Sequence, residues 1–366
     1  MEKISLNDLS RPGPEQEAIK AAILRVVERG WFIHGPELRQ FETEFAAYCG
    51  APHAIGVANG TDAIELSLRA LGVTPDNDVI VAANAGMYSA TAVRSIGATL
   101  VFADVDNRHL VLNASSAQAA MTSRTRAIVV THLYGRMADM TSLCAFAERA
   151  GIALIEDCAQ AHGARQNGRA AGTWGDAGCF SFYPTKNLGA MGDAGMITCR
   201  DEGVASRLRR LRQYGWEEKY VSIEGPARNS RLDEMQAAVL RVKLPLLDER
   251  NARRRQIARR YAATPCNGLR HPDVGGDDYV AHLYVVRTHA RESLRQHLAE
   301  CGIATDIHYP LLDTQQPVLK NHVAENLRLP VSEASVHQIV SLPCYAELRD
   351  EEVDRVCAAI KEWTPT

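Results

Sequence analysis

Between residues 54 and 155 the chain alternates short apolar runs with amphipathic stretches, and this alternation constrains the fold more than any other feature. Five runs read as buried strands: Ala54–Val57, Val79–Ala82, Thr99–Ala103, Ala127–Thr131 and Ile152–Ile155. Helical periodicity fills Asp62–Leu71, Ser89–Ile96 and Met140–Ala150 between them. A strand reads as a continuous apolar run when helices cover both faces of its sheet. The pattern therefore predicts an α/β fold with a mostly parallel sheet. Cys179–Phe182 and Met196–Cys199 also read as strands, but no helix separates them. They predict an interruption or a reversal in the winding.

The flanks are helical on one side and mixed on the other. Ile19, Ala22, Ile23, Val26 and Val27 form one apolar stripe in a helix over Pro14–Glu28, which Gly30 ends. A second helix runs from near Pro36 to Gly50, with Leu38, Phe41, Phe45 and Tyr48 inward. After Asp201 helices are predicted over Val204–Tyr214, Leu232–Val242 and Leu247–Ala262. A short α/β segment follows: strand His282–Arg287, helix Glu292–Cys301, strand Ala304–His308 and helix Asp350–Trp363. Pro245 separates two of the helices, so the boundary is placed there. Residues 1–245 form a large domain and 246–366 a smaller C-terminal α/β domain.

Composition removes several classes of function. Hydrophobic residues are 46% and charged residues 23% of 366, which suits an ordered core. The net charge of −3 argues against a nucleic-acid or membrane-surface binder. No apolar run approaches the roughly 18 residues of a membrane span. Met1–Arg11 carries Glu2, Lys3, Asn7, Asp8 and Arg11 and no signal-peptide core, so a cytoplasmic location is expected. The nine cysteines are scattered, with no Cys-x-x-Cys and no histidine pair at zinc spacing. Free thiols in a reducing compartment and no metal centre are the expectation.

In open α/β sheets ligands bind beyond the carboxyl ends of the strands. Three groups stand there. After the first strand comes Asn59-Gly60-Thr61-Asp62, opening a helix. Gly60 lets backbone N–H groups approach an anion, although by itself the text also reads as ordinary capping. Glu156 and Asp157 end the fifth strand, as caps, ion-pair partners or chemical groups. Lys186 follows Ser181 by five residues among small and apolar neighbours, either as a surface charge or as a desolvated nucleophilic amine. The glycines at 189, 192 and 195 form no dinucleotide fingerprint. Together, a phosphate cradle, an acid and a lysine are what pyridoxal 5'-phosphate needs. The lysine forms the Schiff base, and the acid keeps the ring nitrogen protonated.

Several stretches carry a family resemblance: Glu156-Asp-Cys-Ala-Gln160-Ala-His162-Gly163, Ser181-Phe-Tyr183-Pro-Thr-Lys186-Asn-Leu-Gly-Ala-Met-Gly192-Asp193, Asn59-Gly-Thr-Asp62 and Asn229-Ser-Arg-Leu-Asp-Glu-Met-Gln236. With Gly-Pro-Glu37 and Ser341-Leu-Pro343, the chain from Gly30 to its carboxyl end resembles the DegT/DnrJ/EryC1/StrS sugar aminotransferases. That resemblance implies the fold type I architecture of aminotransferases and a homodimer with active sites shared between subunits. By matching position, Lys186 would hold the cofactor and shuttle the proton. Asp157 would pair with the ring nitrogen and Gln160 would approach the ring hydroxyl. Gly60, Thr61 and Ser181 would bind the phosphate, and Tyr88 would stack on the ring. Asn229 would reach the phosphate from the other subunit. Tyr183, His308 and Tyr309 would meet the substrate.

The reaction implied is transamination from L-glutamate to a nucleotide-linked ketosugar. Lys-Asn-Leu-Gly-Ala-Met-Gly-Asp193 and Arg212-Gln-Tyr-Gly-Trp216-Glu-Glu-Lys219-Tyr220 resemble the C3 aminotransferases of thymidine-linked 3-keto-6-deoxyhexoses. C4 amination is the runner-up, and a non-catalytic regulator that binds the cofactor is a third reading. Sugar dehydratases on the same scaffold carry histidine where this chain has Lys186. Some assignments stay open. His162 is either packed beside the ring or catalytic, and Arg228, Arg231 and Asp233 serve either an interface or a substrate. Met87 and Met191 read as pocket packing. Arg136 and Met87-Tyr88 depart from the family text and bear only on the substrate.

Overall fold

The computed structural model describes residues 2–11 and 13–365. Seven strands form the central sheet: β1 (His53–Val57), β2 (Asp78–Ala82), β3 (Thr99–Ala103), β4 (Thr125–Thr131), β5 (Ala153–Asp157), β6 (Ala177–Ser181) and β7 (Gly195–Cys199). Across the sheet they run β1-β7-β6-β5-β4-β2-β3. From β6 to β3 every neighbouring pair is parallel, whereas β7 is antiparallel to both β6 and β1. The reversal expected between 179 and 199 is β7. Only a loop joins it to β6, which suffices for an antiparallel neighbour and could not complete a parallel crossover.

The helices are α1 (Gln16–Arg29), α2 (Pro36–Cys49), α3 (Gly60–Ala70), α4 (Tyr88–Ser95), α5 (Ala114–Ala119), α6 (Met140–Ala150), α7 (Glu202–Leu211), α8 (Glu234–Lys243), α9 (Leu247–Ala262), α10 (Arg291–Glu300), α11 (Pro330–Ser335) and α12 (Asp350–Glu362). The stop signals at the first two act as expected. Gly30 and Gly50 are left-handed caps, at φ 67° and 74°, a conformation that costs glycine little. Asn59, Asp139, Asp201 and Asp233 cap their helices through side-chain oxygens. The six-residue α5 and α11 are too short to show a periodic stripe, so periodicity misses them.

Two apolar layers sandwich the sheet. On one face Phe41 and Phe45 of α2 meet Phe180 and Phe182 edge-on, with ring centroids 4.9–5.4 Å apart. On the other, Leu66 and Leu68 of α3 join Val93 of α4 and Leu208 of α7 over Ile55, Val81 and Ile197. A third cluster gathers Ile257, Tyr261, Leu294, Val340, Val353 and Ile360, together with Ile4 from the amino end. Its strands are β8 (Tyr284–Arg287) and β9 (Ile339–Leu342), paired antiparallel.

The strand predicted over Ala304–His308 does not form. Its backbone pairs with β9 at one isolated bridge only, Asp306 to Ser341. Polar Thr305 and Asp306 leave it without a continuous apolar face, and residues 306–309 line a cavity instead. The sequence reading leaves out β9, the true partner of β8.

Candidate active site

A cavity of about 960 Å³ opens at the carboxyl ends of the sheet strands. Asn59, Gly60 and Thr61 follow β1, Ala85 and Tyr88 follow β2, and Thr131, Asp157 and Ser181 end β4, β5 and β6. Tyr183, Thr185 and Lys186 come from the loop after β6. Asp306, Ile307, His308 and Tyr309 close the far side.

The end of β5 shows how the fold sorts two adjacent acids. Successive strand residues point to opposite faces. Glu156 is fully buried away from the cavity, accepting N–H groups from Gly172, Trp174 and Gly175 at 2.7–2.9 Å and pairing with His132 at 3.0 Å. It knits the 172–175 loop to the sheet. Asp157 faces the cavity. Its oxygens accept the Ala159 N–H and the Thr131 hydroxyl, both at 3.1 Å. Burial raises its pKa, against the Ala159 N–H, the Lys186 charge and Thr131.

Lys186 is held by a turn in which its N–H donates to the Tyr183 carbonyl at 2.8 Å. Desolvation pulls its amine down to about 8, against the opposing pull of Asp157. A larger share of it is therefore neutral near pH 7 than of an ordinary lysine.

At the α3 end, Asn59 Oδ1 accepts the Asp62 N–H at 2.8 Å, leaving the Gly60 and Thr61 N–H groups without helical partners. A Cβ on Gly60 would lie 2.7 Å from that of Ser181, so the helix end and the serine abut. This is a donor set for a phosphate. Gln160 bridges the wall, accepting the Tyr134 N–H at 2.6 Å and donating to the Tyr309 hydroxyl at 3.2 Å. The Tyr309 ring meets Tyr88 edge-on at 6.0 Å. His308 holds Ser341 at 2.8 Å, and burial lowers its pKa.

A helix N-terminus with a hydroxyl, a desolvated amine and a carboxylate on one cavity wall fit the phosphate, aldehyde and ring nitrogen of pyridoxal 5'-phosphate. The DegT/DnrJ/EryC1/StrS aminotransferase model matches residues 14–361. The chain belongs to that family. Its members depend on pyridoxal phosphate, and the solved structure of ntda from Bacillus subtilis, 28% identical, holds the cofactor as PMP. Over 348 residues the chain is 45% identical to dTDP-3-amino-3,4,6-trideoxy-alpha-D-glucose transaminase of Streptomyces venezuelae, covering 94% of this chain and 91% of that one. It is 44% identical over 350 residues to dTDP-3-amino-3,6-dideoxy-alpha-D-galactopyranose transaminase of Aneurinibacillus thermoaerophilus, covering 95% and 96%. The crystal structure of S. venezuelae DesV in complex with a ketimine intermediate superposes with a TM-score of 0.95 at 43% identity, covering 99% of both chains. The fold is thus the type I aminotransferase architecture.

Ten of the residues named from the sequence line the one cavity: Gly60, Thr61, Tyr88, Asp157, Gln160, Ser181, Tyr183, Lys186, His308 and Tyr309. Asn229 does not line it; it is exposed and bridged to Gln213. His162 is buried 5.5 Å from both Phe180 and Phe182, and burial drives its imidazole down to about 3. It is a neutral packing group. Arg136 turns away to Asp278 at 2.6 Å and stacks over Tyr279. Arg228 pairs with Asp62 and Glu65, and Asp233 caps α8. Thr131, Leu6 and Asn7 are lining residues that sequence reasoning misses. No local motif marks them, because they reach the cavity through the sheet order and the path of the amino end.

Proposed function

We propose that this protein transfers an amino group from L-glutamate to C3 of a dTDP-linked 3-keto-6-deoxyhexose. The carrying observation is that two relatives, 45% and 44% identical over nearly the whole chain, are both transaminases named for dTDP-3-amino sugars. C4 amination has less support. A purely regulatory role fits poorly with a desolvated lysine beside a buried carboxylate.

Gly60, Thr61 and Ser181 would hold the cofactor phosphate, Tyr88 the ring face and Gln160 the ring hydroxyl. When bound, the cofactor supplies a carbonyl that takes up an amino group and a ring that spreads an electron pair. Asp157, ionised, would hold the proton on the ring nitrogen. Lys186 Nζ would take the proton from the donor's α-carbon and return it on the acceptor side, a role suited to an amine near neutrality at working pH. Tyr183, His308 and Tyr309 would orient the sugar.

Asn229, exposed and bridged to Gln213 next to the exposed Tyr214, would serve the cavity of a second copy, making the protein a homodimer. The nine cysteines are free thiols, which suits a cytoplasmic setting. No helix among the described residues is long and apolar enough to cross a membrane. The domain boundary proposed is at 245, with the segment around Ile4 joining the C-terminal unit.

The test is the absorption spectrum of the cofactor-loaded protein. L-glutamate should bleach the visible band of the lysine-bound cofactor. A dTDP-linked 3-keto-6-deoxyhexose should restore it, and a 4-keto isomer should not. Restoration by the 4-keto sugar alone would move the amination to C4.

A further inference from the structure

The cavity must accept two unlike molecules in turn, an anionic amino acid and an uncharged sugar ring. Its lining shows an imbalance. Among the described lining residues of this chain no arginine occurs; the acids are Asp62, Asp157, Asp193 and Asp306, and Lys186, whose amine is itself pulled towards neutrality, is the one lysine. His282 and His308 also line it, but burial lowers the pKa of both. Arg11, Arg250, Arg254 and Lys243 lie in a smaller adjoining cleft, and each has partners. Arg11 pairs with Glu352 at 2.6 Å, Arg250 with Glu15, Arg254 with the Cys344 carbonyl, and Lys243 with the Gly189 carbonyl at 2.8 Å.

Asn7 stands between the two spaces and lines both, as do Thr185 and Lys186. It lies on an amino-terminal strap held at each end. On one side the Ile4 N–H donates to the Gly302 carbonyl and the Ala304 N–H to the Ile4 carbonyl, both at 2.9 Å. On the other, Arg11 binds Asp8 and Glu352. Between these anchors the Asn7 carboxamide has no hydrogen-bond partner among the described residues, and it is partly buried. An unpartnered polar group with both donors and an acceptor therefore lines the same space as the lysine.

We propose that Asn7 is a substrate contact shared by both half-reactions, donating to the α-carboxylate of L-glutamate and exchanging hydrogen bonds with a hydroxyl of the sugar. The chemistry favours an amide at such a place. Its NH2 donates to a carboxylate, and its oxygen accepts from a hydroxyl. An arginine would bind the carboxylate more strongly but would leave an uncompensated buried charge when the sugar is bound. An aspartate would repel the donor.

This inference rests on the cavity being the transamination site, and the test separates the two. Bleaching of the lysine-bound cofactor band is followed against L-glutamate concentration in the wild type and in Asn7→Ala, Asn7→Ser and Asn7→Asp. Failure of the wild type to bleach would overturn the proposed function and this contact with it. With bleaching established, Asn7→Ala should leave the resting band in place. It should raise the half-saturating glutamate concentration about tenfold or more, the effect of losing a hydrogen bond to a charged group. Asn7→Asp should be worse than Asn7→Ala with glutamate, and Asn7→Ser should recover part of the loss. The half-saturating ketosugar concentration for restoring the band should also rise in Asn7→Ala. A glutamate or ketosugar dependence in Asn7→Ala within about twofold of wild type, or an Asn7→Asp equal to wild type with glutamate, would overturn the shared contact.

Discussion

Two buried titratable side chains show what environment does to a residue. Lys186 loses solvation more than it gains from Asp157, so its amine titrates near 8. Attachment of pyridoxal phosphate to the apoprotein needs the neutral amine. Its rate should climb with pH and level off just above pH 8; a rate still climbing towards pH 10 would show an ordinary lysine. Asp313 is fully buried, accepts the Met87 N–H at 2.9 Å, and has a second oxygen without a partner among the described residues. Burial pushes its carboxyl up to about 7. Between its unfolded value near 4 and about 7, the folded state binds the proton and the unfolded state does not. Stability should therefore fall as pH rises through that window. Asp313→Asn keeps an acceptor for the N–H and removes the charge. It should stabilise the protein at pH 8, by at most about 4 kcal/mol, with the gain vanishing near pH 4. Denaturant melts at the two pH values check this, and a pH-independent difference would refute it.

At the scale of elements, the phosphate cradle proposed at Gly60, Thr61 and Ser181 would depend on how closely α3 approaches β6. The glycine at the helix start is there for contact. A Cβ would sit 2.7 Å from the Ser181 Cβ and 3.3 Å from its Cα, so the helix end or the strand end must move. Gly60→Ala should weaken cofactor binding about tenfold or more, the worth of one charge-assisted hydrogen bond. Titration of apoprotein with pyridoxal phosphate measures it. Unchanged affinity would mean that the phosphate is not held there.

For the molecule as a whole, the segment from Tyr214 to Asn229 is displayed outward. Trp216 meets Tyr214 at a tilt and Tyr220 edge-on, with centroids 5.0 and 5.3 Å away, yet Tyr220 and Ile223 are 76% and 61% exposed. A second subunit would cover such surface. If Asn229 serves the neighbouring site, Lys186→Ala and Asn229→Ala should each lose activity alone. Verified mixed dimers of the two should recover about a quarter to a half of wild-type turnover, since one of the two sites keeps both groups. No recovery in such dimers would place Asn229 outside the site.

The sequence by itself determined the sheet, its covering helices and the chemistry-bearing ends of its strands. Those features are local: apolar runs, helix stripes, caps and the short motifs around Asp157 and Lys186. It also carried ten of the cavity residues, because each follows or ends a strand or belongs to a motif. What only the tertiary structure decided is non-local. Strand alternation turned Asp157 into the cavity and Glu156 away from it. The partner of β8 proved to be β9, a strand the sequence reading left out, because pairing depends on which distant edge is free. Asn7 and Thr131 entered the site through chain path and strand order, which no neighbouring residue encodes. Desolvation of Lys186 likewise arises from atoms brought together from across the chain, and it is that burial which shifts an ordinary lysine towards the neutral amine that transamination needs.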